Sequence, residues 1–294
     1  MNYANNNFSN FDNWMMARAV VNARKGMLAV NPNPRVGAVV VKDKKIVGQG
    51  WHKLYGKEHA EVIALREAGS LAKGSELYVT LEPCNHWGKT GPCTEVIINS
   101  GVKRVVVSRL DSNKDVPGAG AEKLRANGIV VDVGCLEEEV SFLNRAWEHY
   151  VLKKIPYVTI EILLSLDARV EKRTVTPNIN QEKSATYDFI IDENSLSFYD
   201  KKKSAFVKQS GVVDFEKVMT AQSSQHILVR NLELAKQLIS AGKVNELKLV
   251  YSNSFVGNKE TKAITDLGFN TQTPLQLLKS KKIENTAVVL YKIN

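Results

Sequence analysis

His59-Ala60-Glu61, then Thr80-Leu81-Glu82-Pro83-Cys84 and Pro92-Cys93, are the stretches from which this 294-residue chain is best read. One imidazole, two thiols and a carboxylate beside the imidazole make a metal-binding set. Three protein ligands leave a fourth position open, which separates a water-activating zinc from a closed structural one. His59 would supply a neutral nitrogen, and Cys84 and Cys93 thiolates. Pro83 and Pro92 stand directly before the cysteines, where proline suits a helix's first turn. Both cysteines are therefore expected at helix N-termini, whose positive end lowers a thiol pKa. Glu61 is left out of the coordination and is placed to carry protons. A purely structural zinc would want a fourth ligand, for which His52 and His86 are the nearby candidates, and would have no use for Glu61.

His-x-Glu followed by Pro-Cys and a second Cys is the signature of the zinc-dependent nucleobase deaminases, and it implies hydrolytic removal of an amino group from a heterocycle. Zinc lowers the pKa of bound water from ~15.7 to about 7, so the nucleophile is available near neutral pH.

Working outward, helix and strand patterns alternate. Trp14–Lys25 has helical apolar spacing, and Val36–Val41 is a continuous apolar strand followed by the polar turn Asp43-Lys44-Lys45. Glu61–Ala68 reads as helix, Leu77–Leu81 as a buried strand, and Glu95–Asn99 continues a helix begun at Pro92. Val105–Val107, the helix Ala121–Ala126, the strand Ile129–Val133 and the long helix Leu136–Leu152 follow. Buried strands between helices predict an α/β layered domain over residues 1–150. Glycine use then changes: 14 of the 18 glycines precede residue 151. Pro156 marks a boundary near Lys153–Pro156, and residues 151–294 are read as a second α/β domain. Its strands are expected at Tyr157–Leu164, His226–Val229, Leu247–Tyr251 and Ala287–Tyr291, with a helix over Leu232–Ser240 ending at Gly242.

The chain is 44% hydrophobic and 24% charged, which fits a soluble globular protein. No apolar run approaches the ~20 residues that span a bilayer, and Met1–Asn10 reads as an Asn-rich tail without a signal-peptide pattern. A membrane partner is excluded and a cytoplasmic location expected. The three cysteines leave Cys135 alone once the metal set is formed, so no disulfide framework is needed. The net charge of +9 is scattered, and its one dense run, Lys201-Lys202-Lys203, reads as a solvated loop rather than a nucleic-acid contact. A phosphorylated small substrate would also suit a basic surface.

Several segments together resemble the riboflavin-biosynthesis bifunctional deaminase/reductase family. They are Asn31-Pro32-Asn33-Pro34-Arg35-Val36-Gly37, Gly50-Trp51-His52, Gly56, His59-Ala60-Glu61, and Thr80 through Cys93 with its inner Asn85-His86-Trp87-Gly88-Lys89-Thr90-Gly91. Eight residues separate the two cysteines, where cytidine-type deaminases have two. The resemblance covers about residues 12–155. It implies a cytidine-deaminase-like first domain and a dihydrofolate-reductase-like second one. It further implies Zn2+ on His59, Cys84 and Cys93, Glu61 as the catalytic acid/base, and 2,5-diamino-6-(5-phosphoribosylamino)pyrimidin-4(3H)-one as substrate. Asn33, His52 and His86 would contact pyrimidine or ribose, Lys89 the phosphate, and Asp111 and Asn113 the ribose. On residue type alone, Lys89 reads equally as an exposed loop lysine, His52 as a packed surface histidine, and Asn33 as a turn residue.

The chain departs from the family in places. Asp111-Ser112-Asn113-Lys114 lacks two prolines and Gly91 replaces another, which is expected to loosen those loops. In the second half, Val158 through Arg169 resembles the family's opening reductase strand, but Glu161 stands where the family has lysine and Ala168 where it has glycine. A carboxylate facing a phosphorylated substrate would repel it. Leu228-Val229-Arg230 stands where a glycine-rich cofactor turn is expected, and a pyrophosphate needs such glycines for close backbone approach. The second domain is thus expected to be a shortened, degenerate reductase that binds no NADPH and is kept for dimerisation or stability, in a homodimer. Two other readings stay open: a deaminase redirected to a related aminopyrimidine or pterin-like metabolite, and a zinc-stabilised binding protein without activity.

Overall fold

The computed structural model describes residues 8–112, 118–171, 186–200, 203, 205–211, 213–221, 224–253, 264–267, 274–283 and 286–293. The chain divides into two compact units, 1–154 and 155–294.

The first unit opens with α1 (Asn10–Lys25), which starts earlier than its apolar spacing suggests. The Ser9 hydroxyl accepts from the Asp12 amide at 3.1 Å, and the Asp12 carboxylate accepts from the Ser9 amide at 3.0 Å, a reciprocal cap. The tail read over Met1–Asn10 is corrected accordingly: Phe8 packs on the core and Ser9 caps the helix, while residues 1–7 lie outside the described residues.

Strands β1 (Gly37–Lys42) and β2 (Lys45–Trp51) form a hairpin whose turn, Asp43-Lys44, has φ of 51° and 60°. Both central residues of the favoured two-residue hairpin turn need positive φ, and Asp tolerates it. With β3 (Glu76–Val79), β4 (Arg104–Val107) and β5 (Val130–Val133) they make a sheet of order β2-β1-β3-β4-β5. β1 runs antiparallel to both its neighbours, and β3, β4 and β5 are parallel. Helices α2 (Ala60–Ala68), α3 (Cys93–Ser100) and α4 (Ala119–Ala126) cover one face, where Ala64, Ile97 and Leu124 meet Val40, Val79 and Val107. α1 covers the other face, with Met16 and Ala19 against Val39, Tyr78 and Val106, and α5 (Glu137–Lys153) closes the unit. Coverage of both faces is why β1 and β4 read as unbroken apolar runs rather than alternating ones. Cys135 is buried in the α1-side core, which pushes its thiol up to about 12 and leaves it inert.

Asp12 does more than cap. It pairs with Arg104 at 2.7 Å and accepts from the Tyr78 hydroxyl at 2.9 Å. Burial alone would raise its carboxyl, but Arg104, Ser9 and Tyr78 together bring it down to about 2. An unfolded Asp titrates near 4, so the folded group is depressed. Its contribution is full above about pH 4 and is lost as pH falls towards 2, amounting to about 2 kcal/mol. Denaturation midpoints measured from pH 6 to 2 should fall more steeply for the parent chain than for Asp12→Asn; parallel curves would contradict this.

The second unit holds an eight-stranded sheet of order β12-β13-β11-β6-β10-β7-β8-β9. Its members are β6 (Tyr157–Leu164), β7 (Phe189–Asp192), β8 (Ser195–Asp200), β9 (Ala205–Ser210), β10 (His226–Val229), β11 (Glu246–Tyr251), β12 (Leu275–Ile283) and β13 (Thr286–Ile293). The central strands β11, β6, β10 and β7 are parallel, and the outer strands are antiparallel. Helices α6 (Phe215–Thr220) and α7 (Leu232–Ser240) join the core formed by Val158, Ile160, Ile162, Leu164, Ile227 and Leu247.

The opposite face of β6 carries Tyr157, Thr159 and Glu161, and this face is polar yet buried. Thr159 Oγ1 hydrogen-bonds His226 Nε2 at 2.8 Å and donates to Glu246 Oε1 at 2.9 Å. Further along, Glu161 is flanked by Arg230 at 3.0 Å and Lys248 at 2.9 Å, and Arg230 also meets Asp192 at 3.5 Å. This corrects the expectation that Glu161 presents a repelling charge. Its side chain is fully buried between Lys248 on β11 and Arg230, which directly follows β10. Ala168 holds a φ of 57°, the left-handed region that glycine adopts without a Cβ clash.

β7, β8, β9, β12 and α6 were not expected from the sequence. β9 and β12 are the two edges of the sheet among the described residues and are largely exposed, so they carry no apolar run. Lys279, Lys281 and Lys282 make β12 look like a solvated segment, and charged edges are how sheets avoid pairing with other chains. Of the lysine run at 201–203, Lys203 lies in a turn between β8 and β9, and Lys201 and Lys202 lie outside the described residues.

Candidate active site and metal centre

The β2–α2 connection supplies the imidazole. His59 is the N-cap residue of α2, and Glu61 sits in that helix's first turn. β2 is pressed onto this end of α2: a Cβ on Gly50 would stand 2.2 Å from the Ala60 carbonyl oxygen. Glycine is therefore required at position 50 for this approach.

The cysteines come from the β3–α3 connection and the start of α3. Cys93 is the first residue of α3, with Pro92 at the N-cap, as its proline suggested. Cys84 differs: it lies in a loop after β3, and Pro83 starts no helix. The helix end still serves it, because the Cys93 backbone amide donates to Cys84 Sγ at 3.3 Å.

His59 Nδ1 lies 3.2 Å from Cys93 Sγ and 3.6 Å from Cys84 Sγ, and the three ligand atoms are all within 4.8 Å of one another. Tetrahedral zinc with ordinary bond lengths spaces nitrogen and sulfur by about 3.6 Å and two sulfurs by about 3.8 Å, so the group fits the ion. The donor set fits as well. Hydrogen bonding from Cys93 outweighs burial and brings the Cys84 thiol down to about 4, while Cys84 and burial push the Cys93 thiol far up. Two adjacent sulfurs cannot both ionise unless a cation lies between them.

Glu61 is buried, and its Oε2 has no hydrogen-bond partner among the described residues. Burial pushes its carboxyl up to about 6, the His59 imidazole opposing the rise. An unpartnered buried carboxylate oxygen is costly unless a bound group uses it.

Around this group, Asn33 Nδ2 contacts His52 Nε2 at 3.1 Å, and His52 Nδ1 lies 3.1 Å from the Glu58 carbonyl oxygen. The two contacts agree on one tautomer: Nδ1–H donates to Glu58, and Nε2 accepts from Asn33. Burial lowers the His52 pKa, which suits that neutral ring. His52 and His59 meet edge to face, with centroids 5.3 Å apart. Asn33, His52 and the metal set are thus one contiguous cluster.

The inter-cysteine loop carries His86, Trp87 and Lys89, all exposed. Lys89 Nζ lies 4.2 Å from the Tyr55 ring centroid. Gly91 leaves room for Trp87, whose ring would be only 3.3 Å from a Cβ there. Asp111 is half-buried on the β4–α4 connection, and Asn113 lies outside the described residues.

Glu82 was not singled out from the sequence. Its buried carboxylate accepts from the backbone amides of Asp111 (3.1 Å), Gly118 (2.9 Å), Gly120 (2.9 Å) and Ala121 (3.1 Å). An anion at the start of α4 is favoured by the helix dipole. The contact ties the Asp111 loop and α4 to the strand end carrying Cys84. A Cβ on Gly120 would stand 2.0 Å from the Pro83 carbonyl oxygen, so α4 abuts this turn directly. The only signal was an acidic residue next to Pro83-Cys84; its partners are amides, which leave no residue pattern.

Residues 9–109 match the family profile of the cytidine and deoxycytidylate deaminase zinc-binding region. The riboflavin biosynthesis protein RibD of Aquifex aeolicus is 52% identical over 159 residues, 54% of this chain and 44% of that protein. By sequence, then, the chain spans less than half the length of such RibD relatives. The diaminohydroxyphosphoribosylamino-pyrimidine deaminase of Buchnera aphidicola (subsp. Schizaphis graminum) is 50% identical over 136 residues, 46% of this chain and 92% of that protein. Among solved structures, Acinetobacter baumannii RibD superposes with a TM-score of 0.80 at 25% identity, covering 97% of this chain and 99% of that one. A deaminase/reductase from Thermotoga maritima does so with 0.78 at 26% identity, with the same coverage. The two units accordingly have the cytidine-deaminase-like and dihydrofolate-reductase-like folds, and zinc is the metal suited to the first. Matched at 50% identity across 92% of that deaminase, the chain belongs to the RibD family of riboflavin-biosynthesis proteins.

Proposed function

We propose that the first unit hydrolytically deaminates the riboflavin-pathway diaminopyrimidinone ribosylamine phosphate, and that the second unit no longer performs the reduction. The observation that carries the first part is Glu61 Oε2, a buried carboxylate oxygen without a partner beside a His-Cys-Cys group of zinc spacing. His59, Cys84 and Cys93 would hold zinc, which supplies Lewis-acid activation of water when bound. Glu61 Oε2 would take a proton from that water, give one to the ring nitrogen, and then serve the departing amine. One carboxylate suffices because these transfers follow one another. A carboxyl raised towards 6 exchanges protons readily near neutrality. Asn33 and the neutral His52 would orient the ring beside this group, and Lys89 would meet the phosphate. His86, on the inter-cysteine loop, would contact pyrimidine or ribose, and Asp111 and Asn113 would hold the ribose. Cys84→Ser or Cys93→Ser should lose zinc by elemental analysis, whereas full occupancy in either would remove that residue from the ligand set.

For the second unit, the supporting observations are the Glu161 ion row and the missing glycine turn. Burial alone would lower the Lys248 ammonium, but Tyr187 and Glu161 outweigh it and hold it above the ordinary value. Both cations beside Glu161 are therefore committed to it, in the place where the family has a lysine. No glycine precedes Arg230 in Leu228-Val229-Arg230 to let a pyrophosphate approach. We place the enzyme in the cytoplasm as a homodimer; no helix among the described residues is long and apolar enough to cross a membrane.

Complementation tests both parts. The chain should restore riboflavin-independent growth to a strain lacking only the deaminase, and should fail in one lacking only the reductase. Failure in the first strain, with zinc-loaded protein present, would contradict the substrate; rescue of the second would contradict the lost reduction.

A further inference from the structure

We infer that Tyr55 and Gly56 are positioning residues for Lys89, holding its ammonium as the anion contact of the first unit's site. The inference rests on the reading of Lys89 as the phosphate contact. Lys89 is an exposed side chain on a loop without regular structure, so its ammonium would otherwise sample many rotamers.

Two contacts restrict it. Its Nζ lies 4.2 Å from the Tyr55 ring centroid, within cation–π range. Its stem passes over Gly56, where a Cβ would stand 3.1 Å from Lys89 Cδ and 3.9 Å from Nζ. Gly56 also has a φ of 77°, so any other residue there would be strained as well as crowding the lysine.

Tyr55 is itself anchored towards the site. Its backbone amide donates to the Ala29 carbonyl at 3.0 Å, and the Asn33 amide donates to the Val30 carbonyl at 2.9 Å. One short segment therefore holds both Tyr55 and Asn33, and Asn33 contacts His52 beside the metal group. A ring face holds the charge without a hydrogen-bond acceptor, so N–H donors turned away from the ring can meet phosphate oxygens.

The test uses zinc-loaded full-length protein with the phosphorylated substrate and its dephosphorylated counterpart, together with inorganic phosphate binding by calorimetry. Tyr55→Leu should raise KM for the phosphorylated substrate, and the Kd for phosphate, by about three- to five-fold. kcat, and KM for the dephosphorylated compound, should stay unchanged. Tyr55→Phe keeps the ring and should match the parent, and Gly56→Ala should act like Tyr55→Leu. Lys89→Met should show the same selectivity with a larger effect. If Lys89→Met is selective and Tyr55→Leu is silent, the positioning role is overturned. Equal losses in Tyr55→Phe and Tyr55→Leu would also overturn it, because the ring would not be what matters. If Lys89→Met weakens both substrates equally and leaves phosphate binding intact, the phosphate reading itself is wrong. Should the parent turn over neither compound, the proposed reaction fails, and the phosphate Kd series still decides whether Tyr55 holds Lys89.

Discussion

Glu61→Gln is expected to keep its zinc and to lose about 10³-fold in kcat. The two side chains are nearly the same size, and the glutamine would occupy the same buried place at the start of α2. What disappears is the group that accepts a proton at Oε2 and returns it. Neither His59, Cys84 nor Cys93 is altered, so zinc content by elemental analysis should equal that of the parent. Stability should hold or rise, because a neutral amide costs less to bury than a carboxylate. The variant thus separates chemistry from metal binding: normal turnover would remove Glu61 from the mechanism, and lost zinc would mean that Glu61 helps hold the metal.

Glu161→Lys is expected to destabilise the second unit by about 3–5 kcal/mol, the usual cost of breaking a buried ion pair from one side. The substitution puts back the residue type that the family resemblance places here. In this chain it would set a third cation between Arg230 and Lys248, which approach Glu161 to 3.0 and 2.9 Å. Register makes the clash unavoidable, because Lys248 pairs directly with Glu161 across β11 and β6. Arg230 follows Val229, the partner of Ile160 across β10 and β6, so it sits level with Glu161. Denaturant titration should show the lower midpoint. A variant as stable as the parent would mean that the ion row is not structural and that position 161 is free to change.

Legibility in the sequence followed how local each feature is. The metal group was readable because its ligands come with fixed neighbours: His59 with Glu61, and each cysteine with a proline. Pro83 still misled, since a proline before a cysteine marks a helix start at Cys93 and only a loop at Cys84. The α/β class was readable from apolar strands covered on both faces, as in β1 and β4. β9 and β12 were not, because exposed edges need no apolar face. The partners of Glu161 were hidden for another reason: Arg230 and Lys248 are distant in sequence and meet it only once strand register is fixed. The Glu82 cradle was hidden because amides carry no residue identity, and the Tyr55–Lys89 contact because it joins two loops.

Deamination by the first unit is tested most directly by ammonia release from the diaminopyrimidinone ribosylamine phosphate in the presence of zinc-loaded protein. One ammonia should appear per substrate consumed, and none with Glu61→Gln or with protein stripped of zinc. No release from protein with zinc bound and Glu61 intact would contradict it, and would turn the search to related aminoheterocycles.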